Sequence, residues 1–255
     1  FAAIFVKLMI TVMKDASVLE RSSIPSLLYQ LTNDSLFLAA ISAIYAILAA
    51  IALGFWYWKR FVPKKRPRRS ILNPAMLFGL LLMVISMQYI ANYLVMAVSA
   101  IHPAWYNTYL ELMEGIGFGN VTWVLALYSV LIAPISEELI FRGVTMRYAG
   151  EAMPFVLANI FQAFLFGLFH ANVVQGVYAF VVGLFCGYVC QKGGSIYLSI
   201  LFHMLFNLWG TFAPEFLFYS GYSFLIHLGI FAAASCGALL GIFFYQKGAN
   251  QLLKK

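Results

Sequence analysis

The sequence predicts an all-α protein, a polytopic membrane bundle of about eight transmembrane helices. Composition is the first reason: of 255 residues 63% are hydrophobic and only 10% are charged, where a soluble domain carries about 25% charged residues. Mean hydropathy is +0.88. The second reason is segmentation. Apolar runs of spanning or near-spanning length fall at 1–13, 36–58, 74–100, 120–141, 154–170, 173–190, 196–213 and 222–245, and about 20 residues cross a bilayer core. The third is periodicity. The runs lack the alternation of a barrel strand, so their backbone groups must be satisfied within helices.

Charge sets the expected orientation. Seven of the eleven residues from Lys59 to Arg69 are Lys or Arg. In a membrane chain such a cluster marks a cytoplasmic loop, with a secondary affinity for anionic lipid, rather than a nucleic-acid surface. Threading the runs alternately from there puts Arg142, Arg147, Lys192, Lys247, Lys254 and Lys255 on the same side. That makes thirteen cations inside against Lys14 and Arg21 outside, a positive-inside bias with both termini cytoplasmic. Trp56, Tyr57 and Trp58 close the second run as interface anchors. His102 to Asn120 contains no Lys or Arg and reads as an external loop with an interfacial segment around Trp105, Tyr106 and Tyr109.

Small residues at Gly183/Gly187 and Gly237/Gly241 are spaced for close helix packing. Cys186, Cys190 and Cys236 lie in apolar runs and read as packing residues, with no His or acidic partner near them in sequence. Three regions are expected in one membrane domain: N-terminal helices over 1–119, a four-helix core over 120–213, and a last helix with a cytoplasmic tail over 214–255.

Ionisable groups inside an apolar run are costly and mark functional sites by default. The chain has nine acidic residues, and two of them, Glu137 and Glu138, stand side by side at the end of the fourth run. Arg142 follows Glu138 at i+4, the favourable order for a helical ion pair. Glu137 is rotated by about 100° and lacks such a partner, so it is the freer base. His203 and Asn207 share one helix face at i,i+4, and Phe166 and His170 repeat that spacing on another run. Each pair alone has a plain structural reading: a helix staple, an interfacial histidine, interhelical hydrogen-bond glue. Together, a carboxylate, two imidazoles and an amide on three helices make up the parts for hydrolysing an amide: base, proton shuttle and oxyanion donors. Gln88, Asn92, Asn159 and His227 are lesser polar positions.

The motifs Glu137-Glu138-xxx-Arg142, Phe166-xxx-His170 and His203-xxx-Asn207, in that order on successive apolar runs, resemble the three signatures of the CPBP family. These are the CAAX proteases and bacteriocin-processing enzymes, also called Abi or type II CAAX prenyl endopeptidases. Gly194-Ser195-Ile196 ahead of the His203 helix is also typical of them. The resemblance covers about 120–213 and implies a glutamate-dependent intramembrane endopeptidase. By carry-over Glu137 activates the water with His170, His203 and Asn207 hold the oxyanion, and Glu138, Arg142 and Phe166 support them. A metal-free mechanism is favoured. Zinc on Glu137, His170 and His203 is the alternative, although HExxH is absent.

The implied partners are the bilayer and a membrane-associated peptide or protein: pheromone precursors, bacteriocins or other anchored substrates in a bacterial plasma membrane, CAAX-like ones in a eukaryotic or archaeal host. A non-catalytic immunity or scaffold protein of the same fold is the competing reading. A proton-coupled transporter is a third, without the broken-helix repeats it would need. Depth poses a problem for the site. Glu137 and His203 thread roughly 8–10 Å from the cytoplasmic end of their runs, but His170 threads about 24 Å from the start of its own. For them to meet, 142–153 must continue into the membrane and the His170–Gln175 turn must be sunken beside a water-filled cavity.

Overall fold

A computed structural model describes residues 34–62, 72–212 and 221–253, with Thr11 and Ser26. Run 1–13 apart from Thr11, Lys14, Arg21, the Lys64–Arg69 part of the basic cluster, Lys254 and Lys255 lie outside the described residues.

Among the described residues the secondary structure is entirely helical. Helix α1 spans Ser35–Phe61, α2 Pro74–Ile101, α3 Pro103–Gly115, α5 Phe155–Phe169, α6 Val173–Gly193, α7 Ile196–Phe212 and α8 Phe224–Leu253. Between α3 and α5 a single rod, α4, runs over Trp123–Ala152. Local chemistry fixes several starts. Asp34, Asn73, Thr122 and Asn172 each accept a hydrogen bond from the backbone three residues on, which satisfies a donor otherwise orphaned at a helix start. Gly194, at φ 64°, ends α6 in the left-handed conformation that glycine adopts without penalty.

Among the described residues five helices, α1, α2, α4, α6 and α8, are long and apolar enough to cross a membrane, while α5 and α7 are shorter. Two boundaries differ from the sequence expectation. The run expected to stop at residue 141 continues as helix to Ala152, because Arg142 and Arg147, which looked like the polar end of a span, are accommodated within the rod. Arg142 is fully buried, so it is not one of the loop cations counted for orientation. The expected external loop holds α3, a helix with no buried residue.

The core is a contact among α2, α6, α7 and α8: Met76, Leu80, Met83, Met87, Val189, Phe202 and Tyr245 are fully buried there. The α2–α8 seam is built on small residues. A Cβ added at Gly241 would run into Met83 and the Gly79 carbonyl. Replacing Gly241 by leucine should therefore part the two helices and destabilise the protein by about 1–3 kcal/mol, read as a lower midpoint of unfolding in detergent. Of the lesser polar positions, Gln88 donates to the Phe206 carbonyl, Asn159 to the Leu184 carbonyl at 3.1 Å, and His227 Nδ1 lies 3.1 Å from the Tyr93 hydroxyl. These are cross-helix ties.

Arg60 at the end of α1 pairs with Glu151 at the end of α4 at 3.1 Å, and Asn73 at the start of α2 donates to the Gly248 carbonyl near the end of α8 at 2.8 Å. Each bond joins helix ends that alternate threading places on one side.

Candidate active site

The rod α4 is not a regular α-helix. Tyr128–Ile132 and Leu139–Thr145 are π-helical, and the α-helical turn between them, Ala133–Glu138, carries both carboxylates. Pro134 supplies part of the cause: it has no N–H to give and crowds the turn before it. Wide turns of this kind recur where a helix serves a site. Here the first of them offers the Ser129 carbonyl to a neighbour, and Asn207 Nδ2 donates to it at 2.8 Å.

The depth problem resolves through the length of α4. Glu137 lies fifteen residues before Ala152, and His170 fifteen residues beyond Phe155. At 1.5 Å per residue both stand roughly 22 Å from the α4–α5 turn. Helix α7 starts deep, with the Ile196 side chain packed on Gly143. Seven residues on, roughly 10 Å further, His203 reaches the level of Glu137.

The two carboxylates are in different states of engagement. Glu138 is fully buried. Its Oε1 receives Arg142 Nη1 at 2.7 Å and His203 Nδ1 at 2.9 Å. A carboxylate held by a guanidinium is acceptor-only, so His203 donates through Nδ1 and turns Nε2 the other way. There it meets Glu137, whose Oε2 is 3.7 Å off. The Glu137 side chain keeps 13% of its surface accessible, against 0% for Glu138. The Glu138–Arg142 ion pair expected from spacing is found, and the structure adds His203 as a link from Glu138 to Glu137.

His170 closes α5. Its Nδ1 is 2.9 Å from the Phe166 carbonyl; a carbonyl only accepts, so Nδ1 carries the hydrogen and Nε2 is the basic atom. Phe166 packs between the histidines, its ring centroid 5.0 Å from that of His170 and 5.6 Å from that of His203, both edge to face. The Arg142 guanidinium lies 4.6 Å from the same centroid, a cation–π contact in a dry setting. Phe166 is thus the spacer that sets the distance between three of the site's polar groups.

The turn that follows is tight: Ala171 has φ 51°, and Asn172 accepts from Gln175 N at 3.1 Å to start α6. With Cys236 replaced by serine, cysteine placed at Asn172 should react with an impermeant maleimide more slowly than cysteine placed at Glu114 on exposed α3. Equal rates would mean that this turn is not sunken.

Several site neighbours had no clear sequence signal. Cys186, expected to be a packing residue away from acids and histidines, is brought by α6 to within 4.8 Å of the ligand atoms of Glu138 and His203; the partners come from other helices, which spacing along one run cannot show. Gln162 on α5 donates to Asn159 Oδ1 at 2.7 Å and to the Gly183 carbonyl at 3.0 Å. Its signal was faint: it is a glutamine one turn before Phe166 in a run whose other polar side chains are Asn159 and His170. On α6, Tyr178 packs against the Phe141–Phe166 cluster. A side-chain hydrogen bond joins it to Tyr109 of α3, whose phenol is pushed up by burial.

Metal fit can be judged from the donors. Among the described residues the group whose ligand atoms converge is Glu138, Cys186 and His203, a different set from Glu137, His170 and His203. All three are buried, and the Arg142 guanidinium already occupies Glu138 at 2.7 Å. A fixed positive charge on the shared carboxylate opposes a divalent cation at that point, so these residues do not fit a metal.

Against known families, residues 119–209 match the model described as type II CAAX prenyl endopeptidase Rce1-like. The matched stretch holds all three motifs and the site geometry above apart from Tyr109, in agreement with the resemblance those motifs carry. At family level the match supports an intramembrane endopeptidase of the CAAX type, a membrane-embedded hydrolase acting on peptide substrates. No curated protein and no solved structure matches the chain.

Proposed function

We propose that the protein is a glutamate-dependent intramembrane endopeptidase, and that its working base is Glu137. The observation that carries this reading is the unequal state of the two carboxylates: Glu138 bonded twice through one oxygen, Glu137 partly accessible and 3.7 Å from His203 Nε2. A water between Glu137 and the basic Nε2 of His170 loses a proton to the carboxylate as its oxygen attacks the scissile carbonyl carbon. The C–N bond then breaks, and the proton passes to the departing amine. His203, carrying a proton on Nε2 as well as on Nδ1 before the water attacks, is a donor to the oxyanion, with Glu138 behind it balancing that charge as a buried carboxylate does for a catalytic histidine. The Asn207 amide keeps one N–H beyond its bond to the Ser129 carbonyl, and that hydrogen is the second oxyanion donor. No step is routed through a metal.

The substrate is a membrane-associated peptide or protein, an anchored precursor where the host membrane is a bacterial plasma membrane and a CAAX-type protein in a eukaryotic or archaeal host, with the Lys59–Arg69 side cytoplasmic. The first test uses protein in proteoliposomes with an internally quenched peptide ending in a farnesylated CAAX sequence, assayed with and without chelator. Cleavage unaffected by the chelator, with no stoichiometric metal in the purified protein, is the expected result. Cleavage abolished by the chelator and restored by zinc would replace the glutamate mechanism. Absence of cleavage, for this peptide and for total membrane peptides compared between strains with and without the protein, would favour the non-catalytic immunity or scaffold reading.

A further inference from the structure

The Glu138–Arg142 pair is held in an unusual way. An arginine and a carboxylate left to themselves favour the two-point fork, two parallel N–H bonds to two oxygens. Here the contact is single: Nη1 to Oε1 at 2.7 Å. The atoms that a fork would add, Arg142 Nε and Glu138 Oε2, are both buried without a hydrogen-bond partner. Leaving buried polar atoms unpaired is costly, so something else must fix the guanidinium.

What holds it is on α5 and α6. Arg142 Nη2 donates to the Gly183 carbonyl at 3.0 Å, and Gln162 Nε2 donates to that same oxygen at 3.0 Å. Gln162 is fully buried and is seated by Asn159, whose Oδ1 accepts from its amide at 2.7 Å. Asn159 in turn donates to the Leu184 carbonyl at 3.1 Å. The two helices approach closely enough for this because of glycine: a Cβ at Gly187 would occupy the place of the Asn159 carboxamide, and one at Gly183 would press on Ala163 and Phe166.

We infer that Gln162, seated by Asn159, is a positioning residue that keeps Arg142 on a single oxygen of Glu138. Its amide fixes the Gly183 carbonyl as the second anchor of the guanidinium and fills the space into which that group would turn. The benefit falls to His203. Glu138 Oε1 accepts Arg142 and His203 Nδ1 together. If Arg142 rolled into the two-point fork, it would draw the carboxylate toward itself and weaken the His203 bond, and with it the aim of Nε2 at Glu137. The kinetic consequence rests on the endopeptidase reading; the geometric one does not.

The test has two arms. Protein with ring-¹⁵N histidine is examined by NMR in detergent. The chain has four histidines, and the His203 Nδ1–H resonance is assigned by its loss in His203→Gln. In Gln162→Met, which keeps the volume and removes the amide, that resonance should move upfield or broaden while the His170 signal stays. In the peptide assay kcat should fall about tenfold with KM altered less than about twofold, as loss of a buried polar partner acting through geometry predicts. Asn159→Leu should move both readouts in the same direction by less, and it carries the test if Gln162→Met does not fold. A lower melting temperature with an unmoved His203 resonance, or a moved resonance with unchanged kcat, overturns the proposal. If wild type itself cleaves nothing, the endopeptidase reading falls and the resonance alone decides the positioning role.

Discussion

Glu137→Gln is expected to abolish peptide cleavage in proteoliposomes while the protein purifies, melts and elutes as wild type does. The side chain is partly accessible and lies 3.7 Å from His203, so an isosteric amide leaves packing undisturbed. What disappears is the basic oxygen. Loss of a general base lowers rate by roughly 10²–10⁴-fold, and the fall should appear in kcat, since Glu137 acts on the water rather than on the substrate's binding contacts. His203→Gln should reduce rate as well, but with a loss of stability, because it leaves Glu138 with one partner fewer. Retained cleavage by Glu137→Gln would move the base elsewhere. Retained cellular function without cleavage would make the protein a binding or immunity device.

Arg142→Met gives the second large effect, and it falls first on folding. Arg142 and Glu138 are both completely buried, and removing one member of such a pair strands the other charge, at a cost of about 3–5 kcal/mol. The variant should be poorly recovered, or should show a strongly lowered unfolding midpoint. The double variant Glu138→Gln/Arg142→Met removes both charges. It should regain much of that stability, since a neutral pair of similar volume avoids the desolvation penalty, and still be inactive, because His203 has lost the carboxylate that orients it. Stability restored together with activity would mean that the pair is only a staple.

The arrangement of these charges was partly legible in the chain. Helical spacing is a local property, so Glu138 with Arg142 and Phe166 with His170 were readable as pairs from their i,i+4 offsets, and both are found in contact. The all-α membrane class was equally plain, since it rests on composition and run length. The contacts made across helices were not legible. Cys186 beside Glu138, Gln162 on the Gly183 carbonyl and Asn207 on the Ser129 carbonyl join positions 21 to 78 residues apart, with no periodicity to announce them. The extent of α4 was also hidden. Arg142 read as the end of a span because a lone cation in an apolar run usually is one, and only its partners explain why the helix continues past it for ten residues.

The π-helical turn at Tyr128–Ile132 makes the site sensitive to chain length as well as to side-chain identity. A regular α-helix advances about 100° per residue, so deleting one residue from this turn would let the segment relax to ordinary pitch. The wide turn already takes up one residue more than an ordinary turn, so its two flanks would keep roughly their relative orientation and the change would fall on the turn itself. The carbonyls of the turn would be re-aimed, that of Ser129 among them, and Asn207 would lose the acceptor that holds it at 2.8 Å. A deletion two turns before the carboxylates, touching no polar side chain of the site, would thus undo one wall of it.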